Sequence, residues 1–531
     1  MRARIRLAPI FLTLLAAGTL AAQNAPFDLL ITNARVVDGT GGPWFYADIG
    51  IRGDSIAAIG PLAGSSAKSV IDANRLVVAP GFIDIHSHGS RGLFSVPTAE
   101  SYLREGVTTM VEGPDGSSAV PLGPYLDRVA KTPISINYAS MVGQGSVRQQ
   151  VLGLANRKAT PEEIEKQKGL VEQAMRDGAF GISTGLFYVP GNFTPVEEVI
   201  ELAKVAGRYG GIHVSHMREE ASKIIDSVRE TIRIGEEGGL PTQVTHHKVI
   251  GGANWGLSVQ TLKLVEEARA RGVDVTVDAY PYTASSTGIA ALFPQWAQEG
   301  GQKSLVERLS AAEQRARIKA AIVTNLKVDR GAGDPKNVGI ARCTWNASLA
   351  GKNLADITRE RGVEVNFENA AETAIYLQTQ GGCSAIYHAI SEEDVVRILK
   401  FPFTMVASDG EIPVFGKDAP HPRSYGTFAR VLGVYVRDKQ VLTLEQAVWK
   451  MSGFPAQRLK IWDRGLLRIG MKADLIILDP ALVADKSQFS APHQYSVGIR
   501  DVVVNGKLVL NSGVVTAERS GRVLYGPGYK R

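Results

Sequence analysis

Histidine is scarce in this 531-residue chain, yet four of its nine histidines follow apolar segments at positions where they could bind one metal centre. His86 and His88 form a His-x-His pair, and alternate side chains of a strand point the same way. His216, His246 and Asp409 follow later apolar segments. Each histidine alone is more often packed or solvated, and Asp409 alone would cap a turn before Gly410. Together they favour a zinc site, because imidazole and carboxylate are common zinc ligands.

The chemistry that this set of side chains suggests is the hydrolysis of an amide. Such a reaction needs a nucleophilic water and a polarised carbonyl, and a zinc ion supplies both as a Lewis acid that lowers the pKa of water to about 7. A carboxylate beside the water can take its proton and pass it to the leaving nitrogen. Asp409 is therefore the predicted catalytic residue as well as a ligand. His246 is the preferred ligand over its neighbour His247, which is expected to turn away or to contact a ligand from behind.

Parallel strands that end at one mouth would bring these side chains together. Apolar strands and amphipathic helical stretches alternate eight times, from the strand at 76–85 to the strand at 403–408. The predicted fold is α/β, a (β/α)8 TIM-like barrel over residues 80–465, whose catalytic groups sit at the carboxyl ends of different strands. The strands expected between the first and the last are 107–111, 134–141, 178–183, 211–216, 242–246 and 273–280. A doubly wound sheet is disfavoured, because no glycine-rich phosphate turn follows an early strand.

Three further segments complete the expected domain organisation. An insertion before strand 8, at about 288–402, is expected to cover the mouth, and it includes a helix at 302–326. Residues 23–79 and 466–531 are both rich in short strands and turns, including the hairpin turn at Asn505-Gly506. They are predicted to form one small composite β-sandwich.

Residues 1–22 are predicted to be a secretory signal peptide, so a periplasmic or secreted location is expected. Arg2, Arg4 and Arg6 precede a short apolar run that ends in small residues. The run is short for a bilayer span, so we expect no stable membrane insertion after cleavage. The net charge of +6 is too small to argue for a nucleic-acid partner. Cys343 and Cys383 are expected to be single buried thiols, with pairing as the alternative in an oxidising compartment.

Beyond these patterns, a set of short motifs runs along the chain: Pro80–Gly89, Gly181-Ile-Ser-Thr-Gly-Leu-Phe-Tyr188, Ser215-His-Met-Arg-Glu219, His246-His-Lys248, Asp278-Ala-Tyr-Pro-Tyr282, Ser408-Asp-Gly410 and His421-Pro-Arg423. In these motifs the chain resembles the N-acyl-D-amino-acid deacylase (D-aminoacylase) family of the amidohydrolase superfamily. The resemblance covers nearly the whole chain after the predicted signal segment.

The resemblance implies zinc-dependent hydrolysis of an N-acyl-D-amino acid, a small-molecule substrate, to a carboxylate and a free D-amino acid. It implies that His216 and His246 hold the tighter metal, and that His86, His88 and Asp409 hold a second position. The residues that it implies for the substrate carboxylate are Lys248, Arg423, Tyr280 or Tyr282, and Ser286. The guanidinium fork of Arg423 suits a carboxylate, although a surface ion pair is the alternative for this residue. Tyr188 either hydrogen-bonds the scissile carbonyl or packs.

One position departs from the family. Asp115 stands where typical members carry a metal-binding cysteine, and a carboxylate is a harder ligand than a thiolate. Glu112 is the alternative ligand. No lysine ends the fourth predicted strand, so a carbamylated bridging lysine is not expected. The alternative functions are a cyclic-amide hydrolase of the dihydroorotase or hydantoinase kind, a dipeptidase, and a barrel that binds without catalysis.

Overall fold

The computed structural model describes residues 26–530, so the predicted signal segment lies outside the described residues. Its strands are β1 (Phe27–Val36), β2 (Phe45–Arg52), β3 (Ser55–Gly60), β4 (Ala67–Asp72), β5 (Val77–Pro80), β6 (Phe82–Asp84), β7 (Val107–Glu112), β8 (Asn137–Ser140), β9 (Val142–Gly143), β10 (Gly181–Gly185), β11 (Ile212–His216), β12 (Thr242–Val244), β13 (Val275–Ala279), β14 (Ser285–Gly288), β15 (Val338–Arg342), β16 (Ser384–Tyr387), β17 (Thr404–Val406), β18 (Leu475–Leu478), β19 (Ile499–Val504), β20 (Lys507–Asn511) and β21 (Val514–Val515).

Helices separate most of the central strands, as the alternating pattern predicts. The α-helices are Glu100–Leu103, Gly123–Lys131, Gln144–Leu152, Pro161–Asp177, Val196–Arg208, Ile224–Gly238, Ser258–Ala270, Gly301–Ser310, Ala312–Val328, Leu354–Glu360, Phe367–Thr379, Glu392–Lys400, Arg423–Arg430, Leu444–Met451 and Gly453–Leu459. A π-helical segment, Val431–Asp438, continues the helix that begins at Arg423. The chain is therefore of the α/β class, as predicted.

The parallel strands form two sheets that meet at the predicted site. One sheet has the order β17-β13-β12-β11-β10-β9, and the other has the order β6-β7-β8. Only Met141 separates β8 from β9. Beyond the ends of β17 and β6, the N–H of Asp409 donates to the His86 carbonyl (2.9 Å) and the N–H of His88 donates to the Gly410 carbonyl (2.6 Å). These bonds bring the carboxyl ends of the first and last parallel strands together.

The two ends of the chain share one nine-stranded sheet. Its order is β21-β20-β19-β18-β5-β1-β2-β3, and β4 pairs with β1. Ile31 and Val78 from the amino-terminal part pack in the same apolar cluster as Leu475 and Val503. The hairpin between β19 and β20 turns at Asn505 and Gly506, both with positive φ.

Two predicted elements are each broken in the structure. The single strand expected at 76–85 is two strands: β5 pairs with β18 of the terminal sheet, whereas β6 pairs with β7. The break falls at Gly81, where a Cβ atom would lie 2.2 Å from the side chain of Thr108. The helix expected at 302–326 is two helices that meet at Ala311, whose backbone is extended.

The segment between β13 and β17 has its own sheet and its own core. Strands β14, β16 and β15 are antiparallel, and they cover an apolar cluster that includes Ile322 and Tyr387. Cys343 and Cys383 form a disulfide here, so the prediction of single thiols is wrong. The pairing of β15 with β16 sets Arg342 opposite Ser384, and this register brings the two cysteine Cα atoms to 4.4 Å. Within residues 26–530, no helix has the length and apolarity required to cross a membrane.

Candidate functional site

The six predicted metal ligands converge, although they are scattered over the sequence between residues 86 and 409. They form two overlapping groups in which the candidate ligand atoms all lie within 4.8 Å of one another. The first group comprises His86, His88, Asp115 and Asp409, and the second comprises Asp115, His216 and His246. Asp115 is common to both groups.

Asp115 lies between the two groups and contacts histidines of both. Its Oδ1 lies 3.5 Å from His86 Nε2, 3.5 Å from His216 Nδ1 and 3.3 Å from His246 Nε2. Its Oδ2 lies 3.3 Å from His88 Nε2. Burial alone would raise the pKa of Asp115, but the imidazoles of His86, His216 and His246 hold that pKa well below its usual range. The side chain is therefore an ionised carboxylate that faces both groups.

Several polar atoms of this cluster are buried without a hydrogen-bond partner. They are Nδ1 and Nε2 of His86, Oδ1 of Asp115 and Nε2 of His216. Buried polar atoms in proteins are nearly always satisfied. Two atoms of this set, Nε2 of His86 and Oδ1 of Asp115, face each other at 3.5 Å without a hydrogen bond, which indicates a bound ion at this point. Imidazole nitrogens and carboxylate oxygens are also the donors that zinc prefers. The residues present therefore fit a metal centre.

Strained backbone and a few anchoring bonds hold the ligands in place. Asp115, His246 and Asp409 all have positive φ (54°, 34° and 51°), a conformation that non-glycine residues seldom adopt and that concentrates at functional sites. The N–H of His246 donates to Oδ1 of Asp278 at 2.7 Å. Beside Asp115, Gly185 must be glycine, because a Cβ atom there would lie 2.0 Å from the Asp115 carbonyl oxygen.

Asp409 carries a charge partner on the side away from the histidines. Its Oδ1 lies 3.5 Å from His86 Nε2 and 3.2 Å from His88 Nε2, and its Oδ2 lies 2.7 Å from Nη1 of Arg423. Burial opposes ionisation of this carboxyl, but the Arg423 guanidinium and the imidazoles hold the pKa of Asp409 well below its usual range. Arg423 is buried at the start of its helix, so the surface ion pair is not what this residue forms.

The residues implied for substrate binding divide into two sets. Lys248, Tyr188, Ser286 and Arg423 line one cavity with the metal-ligand groups. The hydroxyl of Tyr188 lies 3.1 Å from Oγ1 of Thr287, and its ring centroid lies 4.6 Å from that of His216.

Tyr280 and Tyr282 lie behind this cavity rather than in its wall. The guanidinium of Arg423 packs over the Tyr280 ring at 4.9 Å. The Tyr282 ring packs against His421 at 5.3 Å and under the guanidinium of Arg430 at 5.0 Å. Tyr280 therefore supports Arg423 from behind, and Tyr282 packs against other residues.

Two neighbours of the predicted ligands take other roles. His247 is turned away, with Nε2 2.7 Å from Oγ1 of Thr261, and burial lowers its pKa to about 4. Glu112, the alternative ligand, belongs to neither group. Its Oε1 accepts a 2.5 Å hydrogen bond from Ser87 Oγ, so it fixes the residue between His86 and His88.

Sequence reasoning missed a buried charge cluster behind His216 and His246. Glu220 is 1% exposed, and its Oε1 lies 2.5 Å from Nζ of Lys248. Its Oε2 lies 3.5 Å from Nη2 of Arg330, a residue of the segment between β13 and β17. The one available signal was an acidic residue four positions after a ligand histidine, which is common by chance.

The cavity beside the ligand groups has a volume of about 470 Å³. The parallel-strand ends supply its floor. The segment between β13 and β17 supplies part of its wall, through Ser286, Arg330, Arg342 and Ser384. A small molecule with a carboxylate could therefore meet both the metal-ligand groups and several cationic side chains.

A model of the amidohydrolase family matches residues 141–510 of the chain. The fold is also similar to that of the L-hydantoinase (dihydropyrimidinase) from Arthrobacter aurescens, with a TM-score of 0.57 at 17% identity over 94% of this chain and 100% of that chain. The molecule is thus an amidohydrolase with a TIM-barrel catalytic domain.

Closer relatives define the group within this class. The D-aminoacylase of Alcaligenes xylosoxydans xylosoxydans is 38% identical over 95% of this chain and 98% of its own length. A crystal structure of a D-aminoacylase has a TM-score of 0.81 and 36% identity over 94% of this chain and 100% of that chain. The N-acyl-D-glutamate deacylase from Bordetella bronchiseptica, solved with zinc and a phosphonate mimic of the tetrahedral intermediate, has a TM-score of 0.81 and 33% identity with the same coverage. The chain therefore belongs to the D-aminoacylase family of amidohydrolases.

Proposed function

We propose that this protein is a zinc-dependent hydrolase that cleaves the amide bond of N-acyl-D-amino acids to a carboxylate and a free D-amino acid. The observation that carries this proposal is the convergence of four histidines and two aspartates beside one cavity, which all of them except His86 line together with the buried Arg423. The activities named for the relatives support the choice of substrate class.

The proposed metal ligands divide as the two groups do. His216, His246 and Asp115 would hold the tighter ion, and His86, His88 and Asp409, with the shared Asp115, would hold a second and weaker one. A binuclear centre is described for a D-aminoacylase of similar structure. When bound, zinc supplies a Lewis acid for the carbonyl and lowers the pKa of water to about 7.

Side chains of the protein would then transfer the proton and bind the substrate. Asp409 would accept the proton of the attacking water at Oδ1 and deliver it to the leaving nitrogen, while Arg423 holds Oδ2. Arg423 has five donor hydrogens, so it can bind Asp409 and still offer N–H groups to the α-carboxylate of the substrate. The Tyr188 hydroxyl, at the cavity wall beside His216, would donate to the scissile carbonyl.

The proposed architecture has three parts. Residues 80–465 form the (β/α)8 barrel, and an insertion at about 288–402 covers the mouth. Residues 23–79 and 466–531 form the composite β-sandwich. The sheet shared by both termini and the separate core of the 289–387 region support this division. With residues 1–22 as a cleaved signal peptide, the proposed location is periplasmic or secreted, and a disulfide in the insertion suits such a compartment.

Zinc content and a substrate panel test this function. We expect the purified protein to contain zinc, to lose hydrolysis of N-acetyl-D-amino acids on chelation, and to regain it when zinc is returned. Values of kcat/KM for matched N-acetyl-D- and N-acetyl-L-amino acids, dipeptides, hydantoins and dihydroorotate would identify the substrate class. Full activity without bound metal would refute the zinc mechanism. Turnover of ring amides alone would favour the cyclic-amide hydrolase, and zinc binding with no turnover would favour the non-catalytic barrel.

A further inference from the structure

Glu220 is a buried carboxylate directly behind the two histidines of the Asp115–His216–His246 group. Its Oε1 lies 3.3 Å from Nδ1 of His246, and its Oε2 lies 3.8 Å from Nε2 of His216. Both Oε2 of Glu220 and Nε2 of His216 are buried without a hydrogen-bond partner. One carboxylate thus faces, in each ring, the nitrogen that points away from Asp115, which we call the rear nitrogen.

The orientation of the two rings implies that each rear nitrogen carries a hydrogen and requires a hydrogen-bond acceptor. His216 Nδ1 and His246 Nε2 are 2.7 Å apart, and they are the nitrogens that face Asp115. A neutral imidazole that binds a metal through one nitrogen carries its hydrogen on the other. Those hydrogens would be on His216 Nε2 and His246 Nδ1, and each requires an acceptor in a buried site. Glu220 is the carboxylate that both nitrogens face, at 3.3 Å from His246 Nδ1 and 3.8 Å from His216 Nε2.

Two cations keep this carboxylate in place. Nζ of Lys248 lies 2.5 Å from Oε1, and Nη2 of Arg330 lies 3.5 Å from Oε2. Lys248 Nζ also donates to the His246 carbonyl oxygen at 3.1 Å, so two acceptors hold this ammonium group. His246 Nδ1 lies 2.7 Å from the same Nζ, but with its hydrogen in place it cannot accept from an ammonium, so Oε1 of Glu220 is its partner. Through Arg330, the carboxylate also joins the metal-ligand group to the segment between β13 and β17.

We infer that Glu220 is a positioning residue that orients His216 and His246 for the tighter metal ion and holds Lys248 beside them. The inference rests on the proposed zinc function. Carboxylates that accept the second N–H of a metal-binding histidine fix its ring and its tautomer, and their loss typically lowers metal affinity about 10- to 100-fold. Glu220 borders the same cavity, but its two carboxylate oxygens face the histidines and the two cations, so it would act through the histidines.

The test is the zinc affinity of a Glu220→Gln variant, measured by competition with a chromophoric chelator. Glutamine keeps the shape and one acceptor but removes the charge. We expect zinc binding to weaken by about 10- to 100-fold. The visible spectrum of the cobalt-substituted variant should also differ from that of the cobalt wild-type protein, because the two imidazoles are no longer fixed. Glu219→Gln is the matched control: its carboxylate accepts bonds from the N–H groups of Ala221 and Lys223, away from the histidines.

A second variant separates the effect on the orientation of the histidines from the effect on the stability of the protein. Glu220→Gln leaves the buried charges of Lys248 and Arg330 without their partner, which can destabilise the protein by itself. In the Glu220→Gln/Arg330→Met variant one of those charges is gone, so the thermal midpoint should recover while the zinc affinity stays low. Wild-type zinc affinity and cobalt spectrum in both variants would overturn the inference. Failure of the wild-type protein to bind zinc would instead overturn the proposed function.

Discussion

The ends of the parallel strands and the segment between β13 and β17 contribute to the same cavity in different ways. The strand ends supply the metal-ligand groups: His216 is the last residue of β11, and the other candidate ligands follow the ends of short, buried strands. The segment between β13 and β17 has its own antiparallel sheet, apolar cluster and disulfide, and it supplies Arg330 and Arg342 to the cavity wall. Chemistry should therefore depend on the strand ends, whereas this segment should contribute to substrate binding beside Arg423 and Tyr188.

The strongest test of this comparison is Asp409→Asn at the end of β17. The amide cannot accept the proton of the attacking water, so we expect kcat to fall by about 100- to 10,000-fold. Zinc content should be largely retained, because Asp115 and the four histidines remain. Asp438→Asn, on the surface beside Arg437, is the control and should leave kcat unchanged. A near-normal rate in the Asp409 variant would remove this residue from the mechanism.

The ligand positions at the strand ends could be predicted from the sequence because two independent patterns coincide there: an apolar segment typical of a buried strand, and a ligand-type side chain directly after it. His216 and Asp409 follow short apolar segments, and the carboxyl ends of parallel strands meet at one edge. The exact backbone conformation of these ligand residues could not be predicted. No local pattern specifies the positive φ of Asp115, His246 and Asp409. The close approach of Gly185 to the Asp115 carbonyl likewise joins residues that are distant in the sequence.

The residues that sequence reasoning missed depend on contacts between distant segments. Glu220 lies in a loop, and only the folded chain turns its carboxylate towards Lys248 and Arg330. The disulfide depends on the register of β15 against β16, which no local pattern specifies. The break at Gly81 depends on Thr108 of the next strand. In each case the local structure depends on a contact with a residue that is distant in the sequence, so a local sequence pattern cannot predict it.

Asp115 provides the second test, which concerns the metal and not the rate. Asp115→Ala removes the carboxylate shared by both ligand groups, so we expect zinc affinity to fall by about 100-fold or more, beyond the usual effect of residues behind the ligands. Asp115→Cys should raise the preference for zinc over manganese, because a thiolate is a softer ligand than a carboxylate. Competition titrations with both metals measure this ratio. An unchanged ratio, together with zinc affinity preserved in the alanine variant, would exclude Asp115 as a ligand.

The smallest expected effect on the kinetics comes from removing the disulfide of the segment between β13 and β17. Arg342 and Ser384, which line the cavity, are each adjacent to one of the bonded cysteines. In the Cys343→Ser/Cys383→Ser variant we expect the stability of this segment to fall by about 3 kcal/mol, because the bond closes a long loop in the unfolded chain. KM should rise several-fold while kcat and zinc content change little.

The wild-type protein treated with a reducing agent provides a second route to the same state. Reduction should reproduce the KM change of the double serine variant, and the variant itself should not respond to the reducing agent. Initial rates over a range of substrate concentrations, with zinc content measured on the same samples, separate KM from kcat. A loss of kcat with unchanged KM would mean that this segment supports the strand ends themselves, and the division between chemistry and substrate binding would fail.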